Sequence, residues 1–180
     1  QTINKRKLAP PDLLTYPHVI LKADFFSDTS DPNARNNYSA SLKAQGGPHP
    51  GYEIIGFGLD SGNGDIKGEE GVNINVGAFN GKDNHFRIKL TVGQNLEWDR
   101  WHTVKLVIDQ QSQEYVQITV DGQHEDITGY LLPKSFFEGT WQRGELIEEL
   151  QAEIIPTANW DDQTNDYVYW DNISLEVDCK

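Results

Sequence analysis

Apolar and polar residues alternate with a period of two along much of the chain, the pattern of strands that bury one face and wet the other. It is clearest from His85 to Gly122. There Phe86, Ile88, Leu90 and Val92 alternate with His85, Arg87, Lys89 and Thr91, and His102, Val104, Leu106 and Ile108 alternate with Trp101, Thr103, Lys105 and Val107. A third run sets Val116, Ile118 and Val120 against Tyr115, Gln117 and Thr119, and stops at the turn dipeptide Asp121-Gly122. The three runs predict an antiparallel meander with one dry and one polar face.

The same reading predicts strands over His18–Phe26, Tyr38–Ala44, Tyr52–Asp60 and Val72–Phe79 ahead of the meander, and over Tyr167–Val177 at the end. Gly56 and Gly58 interrupt one of them and suggest a bulge or a close backbone approach. Between the strands lie DTSDPNARNN, GGPHPG, DSGNGDIKGEEG and NWDDQTND, loops by composition. Residues 124–144 read as irregular connections. Glu145–Ile155 is ambiguous: Leu146, Ile147, Leu150 and Ile154 fit a helical stripe, and Leu150, Ala152 and Ile154 fit a strand. Because its surroundings are β, a strand entering Pro156 is favoured. Residues 1–17, with Lys5, Arg6, Lys7 and three prolines, read as an arm or linker. Many short strands with hardly any helix predict an all-β protein, an antiparallel β-sandwich forming a single domain over 18–178.

At 180 residues such a domain buries roughly 70% of the surface its unfolded chain exposes. The net charge is −13, which excludes nucleic acid as the expected partner. The excess is lopsided. Residues 1–110 carry 12 basic and 13 acidic side chains, whereas residues 111–180 carry 3 and 15. This is either a solvated acidic face or a source of hard oxygen ligands for a cation. No apolar run approaches the ~18 residues that would suggest a membrane span. The single cysteine, Cys179, has no partner within the chain for a disulfide, and the five histidines show no metal-ligand spacing. No G-x-S-x-G occurs either. A chain without methionine that opens on Gln1 is expected to be a mature form or a piece of a larger protein, one that works outside the cell alongside other domains.

WHTVKLVID, a following strand that ends in VDG, and the closing YVYWDNISLEV together resemble the concanavalin A-like lectin/glucanase superfamily, particularly its laminin G-like and carbohydrate-binding-module branches. The resemblance covers roughly Tyr52–Val177 and implies a jelly roll of two curved sheets that binds sugars on a concave face or at edge loops. Hydrolases of this superfamily carry E-x-D-x-x-E on one strand, a paired-carboxylate arrangement. Here Glu97-Trp98-Asp99-Arg100-Trp101-His102 lacks the last acid and falls in a connection, so Glu97 and Asp99 read as turn acids and Trp101 as a plug of the core or its edge. Lyases of the fold need Arg, Asn or Gln, His and Tyr converging on a uronate. Arg87, His85, Asn73, Asn75 and Tyr115 supply those types on polar strand positions, without the family's local motifs.

A carbohydrate site needs aromatic platforms for sugar C–H faces, with amides and charged groups for the hydroxyls, on rigidly held surfaces. Trp160, Trp141 and Tyr130, in turn-rich contexts, are the candidate platforms, and Asn73 and Asn75 the candidate amides. Arg87 and Lys89, with Lys105, are either a cationic groove for an acidic glycan or a solvated face. On the last strand, Asp171 falls in phase with Tyr169, Ile173, Leu175 and Val177, and an unpaired carboxylate on an apolar face is costly. The resemblance implies that Asp171, with Asp24 of the first strand as partner, holds a structural calcium. The expected function is therefore that of a lectin-like domain of a secreted protein binding a polysaccharide. A polysaccharide-degrading enzyme on the same fold, and a laminin G-like adhesion module that binds protein, are the alternatives.

Overall fold

Residues 6–7, 17–28, 39–45, 53–61, 71–79, 85–109, 111–132, 151–157 and 168–178 are described by the computed structural model, and every regular element among them is a strand. In chain order these are β1 (Arg6–Lys7), β2 (His18–Ser27), β3 (Ser39–Gln45), β4 (Glu53–Ser61), β5 (Val72–Asn75), β6 (Gly77–Phe79), β7 (His85–Arg87), β8 (Trp101–Asp109), β9 (Glu114–Val120), β10 (Gln123–Asp126), β11 (Gln151–Thr157) and β12 (Val168–Asp178). They build two five-stranded sheets, ordered β1-β11-β3-β4-β5 and β10-β9-β8-β2-β12, and a small β6-β7 ladder. All pairings are antiparallel. Arg6–Lys7, inside the segment expected to be an arm, pairs with β11.

Alternation is what joins the sheets. Val19, Leu21, Ala23 and Phe25 of β2, with Val104, Leu106 and Ile108 of β8, turn inward, and they meet Phe57 and Leu59 of β4 and Val72 and Ile74 of β5 in one buried cluster. Each such large side chain contributes roughly 1.5–3 kcal/mol on burial. Phe57 of one sheet packs on Trp170 of the other with ring centroids 5.9 Å apart. The all-β antiparallel sandwich expected from the sequence is the observed fold.

The expected meander is corrected in two places. Its first run ends as a strand at Arg87, and β7 pairs with β6 rather than with β8. Beyond it, Ile88–Leu96 runs along the free edge of β5 through scattered bonds: Ile74 N to Gly93 O (2.8 Å), and Val72 and Leu96 exchanging N–H and C=O at 3.0 and 2.9 Å. Gly93 allows this path, since its φ is +72° and an added Cβ would lie 2.8 Å from Ile74 Cδ1. The segment thus covers an edge that would otherwise offer unpaired backbone. The second correction concerns β10, which the sequence reading took as irregular. Asp121 (φ +50°) and Gly122 (φ +83°) both take left-handed conformations, as a two-residue hairpin turn requires, and the chain returns as β10 against β9.

Phase shifts correct two further residues. Between Val107 and Ile108 the β8–β9 register slips, which sends Tyr115 inward, fully buried, with its hydroxyl donating to Gly77 O (2.8 Å). It is no surface tyrosine for a lyase. On β12 a bulge sets Asn172 and Ile173 opposite the single Ala23 of β2, with Asn172 at φ +49°. One extra residue inverts the phase. Ile173 and Leu175 therefore pack on the core as expected, while Tyr169 and Asp171 are exposed on the outer face.

Glu125 of β10 fastens the covering segment to the second sheet. Its Oε2 accepts from Thr91 N (2.7 Å), Thr91 Oγ1 (2.8 Å) and Val92 N (3.0 Å). Burial works against ionisation, but the three donors outweigh it and hold the carboxyl below its ordinary value. A lowered folded value means that this stabilisation is present above the unfolded value near 4.5 and is lost as pH falls through the folded one. For this half-exposed group it is worth about 1 kcal/mol. Glu125→Gln, a mimic of the neutral acid, should lower Tm at pH 7 by roughly 2–4 °C, and the gap to the wild type should narrow as pH falls below the unfolded value near 4.5. A gap that stayed constant down to pH 3 in thermal melts would refute this role.

Candidate functional site

The outer face of the β10-β9-β8-β2-β12 sheet carries the most distinctive surface among the described residues. Trp101 of β8, Phe26 of β2 and Tyr169 of β12 stand in cross-strand register. Their rings touch in series, Trp101 to Phe26 at 5.6 Å and Phe26 to Tyr169 at 6.2 Å between centroids. Trp101 and Tyr169 are each 49% exposed. Strands about 5 Å apart thus set three aromatic side chains side by side on the outer face, the two outer rings exposed and Phe26 between them half-buried. Trp101, expected to plug the core or its edge, is on the outer face because the alternation of β8 puts His102, its neighbour, inside.

Directly beneath lies a second row in register, His102–Phe25–Trp170. Phe25 packs on the His102 ring at 5.3 Å and on Trp170 at 6.0 Å. His102 is 2% exposed. Its Nδ1 lies 2.7 Å from Asp121 Oδ2 and its Nε2 lies 2.7 Å from Glu97 O, so both ring nitrogens face acceptors. The other oxygen of Asp121 accepts from Thr103 N (2.9 Å). One imidazole and one carboxylate therefore tie the start of β8 to the turn before it and to the β9–β10 turn. In that first turn Glu97 pairs with Arg100 at 3.0 Å, both exposed, and Trp98 packs on the core. The acids that imitate a hydrolase motif are turn residues, as the sequence suggested.

One register step from the aromatic row, on the same face, Asp24 lies opposite Asp171 across β2 and β12, and opposite Thr103 across β2 and β8. Asp24 Oδ1 accepts from Thr103 Oγ1 and its Oδ2 from Asn172 Nδ2, both at 2.6 Å. Asp171 Oδ1 accepts from Asn172 N at 2.8 Å. Burial opposes the ionisation of Asp24, but the bonds from Thr103 and Asn172 and the charge of Lys22 prevail and hold its carboxyl below the ordinary value. The next step along the face brings Lys22 and Lys105 opposite each other. The aromatic row, the carboxylates and the lysines thus follow one another along one face of the sheet.

The two residues named for calcium are thus neighbours, but the reason given for Asp171 no longer holds, because the bulge turns it outward, away from the core. Calcium takes roughly six to eight oxygen ligands. The Asp24–Asp171 pair already receives three donors, and no group of three or more His, Cys, Asp or Glu placed to hold a metal occurs among the described residues. The donor set described does not by itself fit a calcium ion.

The expected sugar ligands among the described residues lie on several elements. Trp141 and Trp160 lie outside the described residues. Asn73 is buried on β5, where its Oδ1 accepts from Asn95 N (2.9 Å) and supports the left-handed turn there, and Asn75 is half-buried at the end of the same strand. Arg87 is exposed on β7, and Lys89 is exposed beyond it. Tyr130, 36% exposed, packs on Phe86 at 5.9 Å in a second, smaller aromatic patch. The cationic groove is corrected as well: β7 pairs with β6 while Lys105 belongs to β8, whose neighbours are β9 and β2, so Arg87, Lys89 and Lys105 do not line adjacent strands of one sheet. The sequence reading missed Trp101, Phe26 and Tyr169 as a unit, although the outward phase of Trp101 was visible in the alternation.

No protein-family model matches the chain, and no curated protein matches it. Among solved structures the chain is similar to an alginate lyase, with TM-score 0.55 and 13% identity over 96% of this chain and 72% of that one. It is also similar to the globular domain of T. cruzi calreticulin, with TM-score 0.52 and 12% identity over 98% and 66%. A third is the CBM2 module of the evolved Dit of Lactobacillus casei BL23 phage J-1, with TM-score 0.50 and 10% identity over 93% and 64%. At these identities the likeness establishes the β-sandwich fold.

The His102–Asp121 pair generates a prediction about the platform's support. Removing either partner leaves the other, or Glu97 O, without its bond, at a cost of roughly 1–3 kcal/mol. His102→Leu and Asp121→Ala should each destabilise by that order in urea unfolding. The double variant should lose less than the two summed, by about 0.5 kcal/mol or more. Additivity would show that the two side chains do not act as one link.

Proposed function

We propose that the chain is a carbohydrate-binding domain whose ligand lies on the outer face of the β10-β9-β8-β2-β12 sheet. The observation that carries the reading is the row Trp101–Phe26–Tyr169, whose two outer rings are exposed. Large aromatic side chains left at a protein surface in a contiguous patch rimmed by polar groups mark a place where something binds. Pyranose rings present flat C–H faces that suit aromatic rings and hydroxyls that suit Asp24, Asp171, Asn172 and Thr103 beside them. The inner row His102–Phe25–Trp170 keeps the platform rigid before any ligand arrives, which lowers the ordering cost of binding. The likeness in fold to a carbohydrate-binding module and to an alginate lyase is consistent with this reading. The lyase arrangement named from the sequence lacks support in the geometry, because Tyr115 is inside the core and Asn73 is engaged with Asn95.

Affinity electrophoresis through a panel of soluble polysaccharides tests the proposal. The wild type should be retarded by at least one polymer, and Trp101→Ala and Tyr169→Ala should each weaken that retention on the order of tenfold, about 1.4 kcal/mol, with little change in Tm, since both rings are half exposed. Retention that both variants keep in full would place the ligand elsewhere.

A further inference from the structure

Resting on that reading of the aromatic face, we infer that its ligand is a neutral, hydroxyl-rich polysaccharide and that acidic glycans are rejected, because the carboxylates of Asp24 and Asp171 stand one register step from Trp101, Phe26 and Tyr169. A sugar laid across the rings brings its ring-edge hydroxyls to this carboxylate row. Each carboxylate oxygen has two acceptor positions. The bonds from Thr103, Asn172 Nδ2 and Asn172 N orient the two groups and still leave acceptor capacity toward solvent. Hydroxyl donors complete such a site with charge-assisted bonds. A uronate or sulfate in the same position would set anion against anion, and the carboxylates, with no proton to donate, could not bond to it.

The rest of the face extends the same bias. Lys22 and Lys105 occupy the next step, but Lys22 acts on Asp24. On the following outward positions of the sheet stand Glu176, Asp126, Asp109 and Asp178, and Ile20 and Val107 between them are buried, at 6% and 9% exposure. An anionic polymer leaving the aromatic row would meet the carboxylates of Asp24 and Asp171 before a single pair of lysines, on a chain of net −13. Repulsion of this kind costs little at any one exposed site, but it recurs along a polymer and is strongest at low salt.

Retention of the full chain should be compared on neutral polymers (a mixed-linkage β-glucan, xylan, galactomannan, soluble starch) and acidic ones (alginate, polygalacturonate, a sulfated galactan) at low ionic strength. The expected result is retention by a neutral polymer and by none of the acidic ones. Asp171→Asn should weaken the neutral retention several-fold, and the charge reversal Asp171→Lys should weaken it further while admitting an acidic polymer. Thermal melts check that these exposed-site variants stay folded. Retention by an acidic polymer that Trp101→Ala abolishes would overturn the neutral class and leave the aromatic face standing. Retention by any polymer that Trp101→Ala leaves intact would overturn the face itself. If no polymer were retained and sedimentation showed a dimer that Trp101→Ala dissociates, the row would be a contact between copies and both readings would fall.

Discussion

Two consecutive residues on each of three neighbouring strands govern this surface: Phe25-Phe26, Trp101-His102 and Tyr169-Trp170. Because a strand sends successive side chains to opposite faces, registering the three strands at one level stacks an inner row under an outer one. The inner row closes the end of the core and the outer row is left facing water. Neither can shift without the other. The inner row is in turn pinned by His102, which reaches Asp121 with one nitrogen and Glu97 O with the other, so two turns distant in sequence determine where Trp101 stands. A buried polar link of this kind stabilises modestly, yet leaving its acceptors unpaired is expensive, and that asymmetry fixes the geometry of the platform.

How much of this was legible in the sequence follows from which forces act locally. Alternation is a local property, so the strands, the dry faces and the sandwich could be read from it. The same pattern assigned Trp101 to the outside and His102 to the inside, and it, rather than the expectation of a plug of the core or its edge, describes where the two side chains stand. Phase is also where the reading failed. At Tyr115 and at Asp171 a single extra residue in one strand turned the following side chains over, and such slips depend on how two strands pair, which neither strand records. Asp-Asn within YWDNISL was a local hint, since Asn accepts the left-handed conformation a bulge demands more readily than most residues. The order β8-β2-β12, which makes a row of three separate aromatics, is a long-range fact and had no signature in any one segment.

The two sheets handle their edges differently. The edge at β5 is covered by Ile88–Leu96, a segment whose alternation imitates a strand although most of it makes no ladder. Its apolar residues are needed for burial, as Ile88 and Leu90 show, while its backbone meets β5 and the side chain of Glu125. Hydrophobic pattern reports which side chains are buried and says less about what the backbone bonds to. At β12, the edge of the other sheet, the bulge at Asn172 disrupts the ladder and the exposed Asp171 and Glu176 put charge along the strand, both features that discourage edge-to-edge pairing.

That last feature connects fold to function. A row of three aromatic rings, the two outer ones exposed and one of these on an edge strand, would invite self-association, and acidic side chains around it oppose that by charge. The acidity of residues 111–180, read from the sequence as a solvated face or a cation site, gains a further role where Asp171 flanks the rings and Glu176 follows farther along the same strand. Carboxylates that keep copies of the protein apart are also acceptors that suit a polyol and repel a polyanion. The same charges can therefore keep the apolar surface soluble and select what covers it, because water and sugar hydroxyls satisfy a carboxylate in the same way, while only the sugar also brings an apolar face to the rings.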